Sequence, residues 1–228
     1  MAIQLAHYRL HRRFAPTYET GHTRAFYHGR TDTVRTCSLA SCAFVDAMED
    51  ATAPPEAKWD ALKAACIPTW GLDPQAISTG TLICCFSLLL THFGPRLGTG
   101  DTHGEQLQRV LTGQGVDRHL LGLMVAAHLC GEQPALFTDP AFKRSGGGGN
   151  YVISTSNVGY TPLFGGFAPM TPDGYGVCYA MLEGRMNVAI TSWRSDPDTC
   201  SDRMHAALSQ AMCDMQALCN AVAPKPKL

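Results

Sequence analysis

Near the end of the chain, Met204, Leu208, Met212, Met215, Leu218 and Cys219 recur at intervals dominated by three and four residues. That spacing lines one side of an α-helix, so Asp198–Val222 reads as a single long amphipathic helix. Such a helix needs something to lie on, because its apolar stripe must be covered by a sheet or by other helices. A candidate sheet comes just before it. "YVISTSNV" (151–158) is rich in β-branched residues. "GVCYAML" (176–182) and "MNVAITSW" (186–193) read as two more strands around a turn at Glu183-Gly184-Arg185.

The first half adds helices and another extended segment. Ile3, Leu5, Ala6 and Leu10 give Ala2–Arg13 an approximate helical pattern, which Pro16 ends. Thr17–Arg35 runs in short extended pieces broken by Gly21 and Gly29. After Pro54-Pro55, Glu56–Cys66 sets Ala57, Leu62, Ala65 and Cys66 against Lys58, Asp60 and Lys63, a helix. Glu105–Leu129 is helical twice, with a break at Gly113-Gln114-Gly115, and Arg144–Asn150 is a glycine-rich, flexible connection. Strands with helices before and after them predict the α/β class, a mixed sheet flanked by helices.

Charge and cysteine usage narrow the function classes. The net charge of −1 argues against a general nucleic-acid binder, which needs a basic surplus to neutralise phosphates. Thirteen Arg against five Lys suit fixed recognition of a carboxylate or phosphate. The ten cysteines form no C-x-x-C pair, and no His-x₃₋₅-His pair lies at zinc-finger spacing from them, so they read as free thiols in a reducing compartment, with no metal site. The apolar run Thr81–Leu90 is about half the length of a membrane span. The opening "MAIQLAHYRLHRR" is too short and too charged for a secretory signal. Residues 223–228 form a tail, and Pro226-Lys227-Leu228 resembles a peroxisomal address, with mitochondrial or cytoplasmic placement as the alternative.

Four short stretches carry more specific information: "TYET" (17–20), "HGRTDTVR" (28–35), "VDRHLLGL" (116–123) and "STSN" (154–157), the last followed by "GGFAPMTPDGYGVCY" (165–179). In this order they resemble the choline/carnitine acyltransferases. The resemblance covers nearly all of the chain except Ile67–Gly100 and implies most of the second domain of the coenzyme A-dependent acyltransferase fold. It also implies exchange of a fatty acyl group between coenzyme A and carnitine. No cofactor would be held permanently; coenzyme A or acyl-CoA would be a co-substrate.

Carnitine carries a carboxylate, a quaternary ammonium and a reactive hydroxyl. A guanidinium with neutral hydroxyl donors suits the carboxylate. Tyr18, Thr31 and Arg118 match the family positions that hold it, and Thr20 matches a further carnitine-contacting hydroxyl. Arg118 and Thr31 favour carnitine over choline, since choline acetyltransferases carry Asn where Arg118 stands. Phe167 matches an aromatic near the quaternary ammonium, which prefers a ring face. Ser156 is the candidate for stabilising the tetrahedral oxyanion. Asn157 stands where a Gln faces coenzyme A in relatives. Gly165 matches a position that leaves room for a medium or long acyl chain, where acetyl-preferring relatives have a bulky side chain.

Two departures qualify the resemblance. The family's general-base histidine lies upstream of "TYET", and none of the nine histidines stands in its motif. The chain therefore reads as a partial C-terminal domain, 1–228, that is inactive alone and has the N-terminal half as its missing partner. The rival is a non-catalytic protein that binds carnitine or a partner; choline acetyltransferase is a weaker rival. Residues 67–100 interrupt the family spacing, either as a loop insertion or as translated intervening sequence, since long structureless loops are uncommon in compact domains.

Overall fold

A five-stranded mixed sheet organises the chain, in the order β2-β1-β3-β4-β5. The computed structural model describes residues 1–66, 102–158, 165–182 and 185–222. The expectations for 67–100, for the Glu183-Gly184 turn and for the tail at 223–228 lie outside the described residues. β1 (Thr17–His22) and β2 (Thr31–Arg35) pair antiparallel, as the two halves of the extended Thr17–Arg35 segment. β3 (Ile153–Asn157) runs parallel to β1 and to β4 (Tyr175–Leu182), and β5 (Arg185–Ser192) returns antiparallel to β4.

Helices fill the intervals: α1 (Ala2–His11), α2 (Leu39–Glu49), α3 (Pro55–Cys66), α4 (Thr102–Leu111), α5 (Val116–Leu129), the short α6 (Ala135–Thr138) and α7 (Pro140–Arg144), and α8 (Ser201–Val222). α8 starts three residues later than the expected Asp198, because Asp196 Oδ1 holds the turn before it by accepting from the backbone N–H of Asp198 at 2.8 Å. Arg144–Asn150, read as a flexible connection, is instead a short turn of 3₁₀-helix at Gly147–Gly149 packed under Phe142 and Tyr151.

The two faces of the sheet differ. Side chains alternate along a strand, and paired residues share a face. Ile153, Tyr175 and Val177 face the helices, where they meet Leu5, Phe44, Trp59, Met204, Leu208 and Leu218 in one buried core. Gln4 ties α1 to the sheet; its Nε2 donates to Ala15 O at 2.7 Å and to Thr17 Oγ1 at 2.5 Å.

His7 is wholly buried in this layer. Its Nδ1 lies 3.1 Å from Arg13 O, which accepts a hydrogen bond when Nδ1 carries the proton, and its ring lies tilted against that of His11 with centroids 4.5 Å apart. Burial, together with the neighbouring His11, pushes His7 down to about 4.

α5 behaves differently from the other long helices. It is apolar on most sides, yet none of its residues is buried. Leu121, Leu123, Val125 and Leu129 are all exposed, Leu129 at 80%. A helix apolar all round is ordinarily covered. No described helix is long and apolar enough to cross a membrane.

Candidate functional site

The sheet face turned away from the core carries the polar residues of the family-like motifs. In β1, Tyr18 and Thr20 share this face; their partners on β2 are Arg35 and Thr33, and Thr31 follows by alternation. On β3 the same face holds Ser154, beside Tyr18 in the parallel register, and then Ser156. Beyond these, Gly176 and Cys178 of β4 and Ala189 and Thr191 of β5 complete the row.

A cavity of about 300 Å³ opens over the β1–β2 end of this face. Tyr18, Thr20, Thr31 and Arg118 all line it, together with Thr33 and Tyr151. Four of the sequence-identified residues, from three separate elements, thus converge. Leu120, Leu121, Met124 and Met170 supply its apolar wall.

Arg118 reaches the cavity because of how α5 begins. The helix's N-cap is Gly115, which has no side chain to cap it. Asp32 of β2 does that work: its Oδ1 accepts from Arg118 N at 3.2 Å and from Thr33 N at 2.7 Å. Glycine is required at 115, because a Cβ there would run into the Asp32 carboxylate. The Arg118 side chain then folds back on Thr31, with Nε donating to Thr31 O at 2.9 Å and Nη2 to Thr31 Oγ1 at 3.5 Å. Among the described residues Arg118 forms no ion pair, in contrast to Arg9, Arg12, Arg13 and Arg35.

Two carboxylates border the cavity, and neither is left for Arg118. Asp32 is 7% exposed and accepts from the backbone N–H of Thr33 on β2 and that of Arg118 at the start of α5, where the helix dipole favours negative charge. Asp117 pairs with Arg35, from Nη2 to Oδ1 at 2.8 Å and Nε to Oδ2 at 3.1 Å. The hydrogen bonds it donates to Asp117 are the main cause holding the Arg35 guanidinium above its ordinary pKa. Burial pushes the Tyr151 hydroxyl up, and Asp117 adds to it. The chemistry left over is one guanidinium with several hydroxyls, a set of donors of the kind that suits a small carboxylate.

The other sequence-identified residues lie elsewhere. Ser156 is on the same sheet face but does not line the cavity. Phe167 is half-buried over β4, where its carbonyl accepts from Thr191 Oγ1 at 2.5 Å. Glycine at 176 makes room for it, since a Cβ would strike the Phe167 carbonyl. Gly165 is exposed, with open space where a Cβ would stand. Asn157 alternates to the other face, and its backbone N–H donates to Glu19 Oε1 at 3.1 Å.

Sequence reading missed a group of supporting residues. Glu19 also accepts from Tyr179 OH at 2.8 Å and from Thr155 Oγ1 at 3.2 Å, bracing β1 against β3 and β4. Burial first, then Glu19, raises the Tyr179 hydroxyl well above its usual pKa. Asp32, Thr33, Arg35, Asp117 and Tyr151 were also unassigned. Alternation in "TDTVR" could have found Thr33 and Arg35, which share Thr31's face. No group of three or more metal-ligating side chains occurs among the described residues.

Comparison with known proteins agrees with the motifs. The model of the family described as choline/carnitine O-acyltransferase matches residues 1–68 and 99–210. Peroxisomal carnitine O-octanoyltransferase of Bos taurus is 37% identical over 219 residues, 96% of this chain and 30% of that protein. Carnitine O-acetyltransferase of Mus musculus is 31% identical over 220 residues, 96% of this chain and 29% of that protein. Choline O-acetyltransferase of Homo sapiens is 32% identical over 226 residues, 98% of this chain and 26% of that protein. The chain spans less than a third of the length of these curated relatives. With its motifs, its mixed sheet and a family match over most of its length, the chain belongs to the choline/carnitine acyltransferase family.

Proposed function

We propose that this chain forms the carnitine-binding part of a carnitine O-acyltransferase and holds the carnitine carboxylate in the cavity between β1, β2 and α5. The observation that carries this reading is the Arg118 guanidinium: it lines a cavity rich in hydroxyls, is oriented by Thr31, and has no carboxylate partner among the described residues. Tyr18, Thr20 and Thr31 add neutral donors around the same point. Choline has no carboxylate, so a choline enzyme gains nothing from this arrangement. Phe167 serves the quaternary ammonium.

In the full reaction a histidine base removes the proton from the carnitine hydroxyl. The resulting oxygen attacks the acyl-CoA thioester carbonyl. Ser156 stabilises the tetrahedral oxyanion, which collapses to acylcarnitine and releases coenzyme A, whose sulfur takes up the proton. Asn157 belongs to the coenzyme A side, although its side chain alternates away from Ser156. The family resemblance assigns that base to a histidine motif that none of the nine histidines matches, and we assign it to further polypeptide. The exposed apolar faces of α5 support the same idea, as a surface that such polypeptide would cover. Residues 67–100 interrupt this unit, and the family match breaks over nearly the same stretch. The octanoyltransferase relatives support a peroxisomal placement.

The test is an octanoylcarnitine and coenzyme A assay on residues 1–228, alone and with the N-terminal portion of a carnitine octanoyltransferase relative added. No turnover alone and measurable turnover together are expected. A normal rate from residues 1–228 alone contradicts the need for an outside base. No turnover in the mixture, with both parts folded, favours a carnitine-binding protein that does not catalyse transfer.

Acyl preference follows from Gly165. In the reconstituted enzyme, Gly165→Leu is expected to lower the octanoyl-to-acetyl rate ratio at least tenfold, about 1.4 kcal/mol of discrimination. A ratio unchanged by the substitution removes Gly165 from the acyl pocket.

A further inference from the structure

We infer that Asp117 is a positioning residue that fixes Arg118 and Tyr18 relative to each other, so that both meet the same ligand carboxylate. The inference rests on the carnitine reading above. Arg118 belongs to α5 and Tyr18 to β1, and these elements are far apart in sequence. Something must hold the two groups to one geometry.

Asp117 sits at the junction. As the residue before Arg118, it is fixed to the first turn of α5. Its side chain is only 15% exposed and is gripped by Arg35 in a fork, at 2.8 and 3.1 Å. Arg35 stands directly opposite Tyr18 in the β1–β2 register. Arg35 Nη1 also donates to Ser145 O at 3.0 Å, which anchors the guanidinium from a second side.

A second route runs through Tyr151. Its hydroxyl donates to Asp117 Oδ1 at 3.1 Å, while its ring packs 4.7 Å from the ring of Tyr18. The Arg35 guanidinium lies 5.8 Å from the Tyr151 ring centroid. Asp117 therefore connects to Tyr18 both across the strand pair and through a stacked ring. Forked Arg–carboxylate pairs hold orientation as well as energy. Since Arg35 and Tyr151 occupy the Asp117 oxygens, the carboxylate contributes geometry here rather than a competing charge for the ligand.

A positioning role predicts a particular pattern of losses. Asp117→Asn keeps the shape but replaces one acceptor oxygen with a donor facing Arg35. It should weaken carnitine binding about fivefold, roughly the effect of one hydrogen bond. Choline, which has no carboxylate for Arg118 to meet, should bind as it does to the unaltered chain. In an Arg118→Asn background, Asp117→Asn should cost carnitine binding nothing further, because the group it positions is gone. Tyr151→Phe keeps the ring stack and loses only the hydrogen bond, so it should show the same selectivity with a smaller loss.

The experiment is a calorimetric titration of carnitine and of choline into the whole chain and these variants, with the unfolding midpoint measured for each. Carnitine-specific loss that disappears in the Arg118→Asn background supports the role. Losses that add fully to those of Arg118→Asn, or that affect both ligands in proportion to reduced folding, overturn it and make Asp117 a general structural residue. Unchanged carnitine binding in both Asp117→Asn and Tyr151→Phe also overturns it while leaving the carnitine reading intact. Absence of carnitine binding to the folded, unaltered chain overturns both.

Discussion

Replacing Arg118 with Asn is expected to weaken carnitine binding about thirtyfold and to leave choline binding nearly unchanged; the carnitine loss corresponds to about 2 kcal/mol, within the range for a hydrogen bond to a charged group. The estimate sits below that for a fully buried ion pair because Arg118 is itself exposed to solvent in the open cavity. Its direction follows from the ligand's chemistry. Carnitine brings a carboxylate to a guanidinium that is oriented by Thr31 and engages no carboxylate among the described residues. Asn offers one amide in place of the charged fork and cannot reach Thr31 O in the same way. Calorimetry on the variant reads both ligands in one series. A parallel loss for carnitine and choline would show that Arg118 supports the fold rather than the carboxylate.

The second large effect concerns stability in mild acid. His7 is buried and held down to about 4 by desolvation, whereas in the unfolded chain it returns to its ordinary value near 6.5. Between those two values the unfolded chain binds a proton that the folded chain refuses. Stability is therefore complete above pH 6.5, falls as the pH drops, and stops falling near pH 4. The total is about 3 kcal/mol, with about 2 kcal/mol lost by pH 5. His11 is shifted in the same direction by burial and the neighbouring Arg13, and so adds to the slope. Urea unfolding at pH 7 and pH 5 measures the loss. His7→Gln can still donate to the Arg13 carbonyl but does not titrate, so it should remove most of the difference. An equal acid loss in that variant would place its origin in other groups.

Tyr18, Thr20, Thr31 and Arg118 were named from the family resemblance, and strand alternation is the local reason the first three meet on one sheet face. Alternation puts Tyr18 and Thr20 on one face of "TYET" and Thr31, Thr33 and Arg35 on one face of "TDTVR", and the β1–β2 register joins the two sets. The long helix α8 was legible from its own stripe, and the break at Gly113-Gln114-Gly115 fell where α4 gives way to α5. α2 was missed because its small Ala, Ser and Cys residues blur the helical period. Its start signal is a capping box closed by Ser41, where Glu or Gln is the more recognisable partner.

What could not be read depends on distant pairing. The cap for α5 comes from Asp32, 86 residues before Arg118, and nothing near Gly115 announces it. The pairing of Arg35 with Asp117 spans 82 residues. Neither interaction has a sequence period, so each emerges only when β2 and the start of α5 are brought together. Asn157 shows the reverse case. The "STSN" motif places it beside Ser156, but strand alternation sends the two side chains to opposite faces.

The most direct test of the carboxylate site is a comparison of carnitine with choline on the unaltered chain by isothermal calorimetry. The two ligands share a quaternary ammonium and a hydroxyl, and they differ in the carboxylate that Arg118, Tyr18 and Thr31 would receive. Saturable carnitine binding at least tenfold tighter than choline binding, about 1.4 kcal/mol, is the predicted result. Equal affinities, or tighter binding of choline, would contradict it.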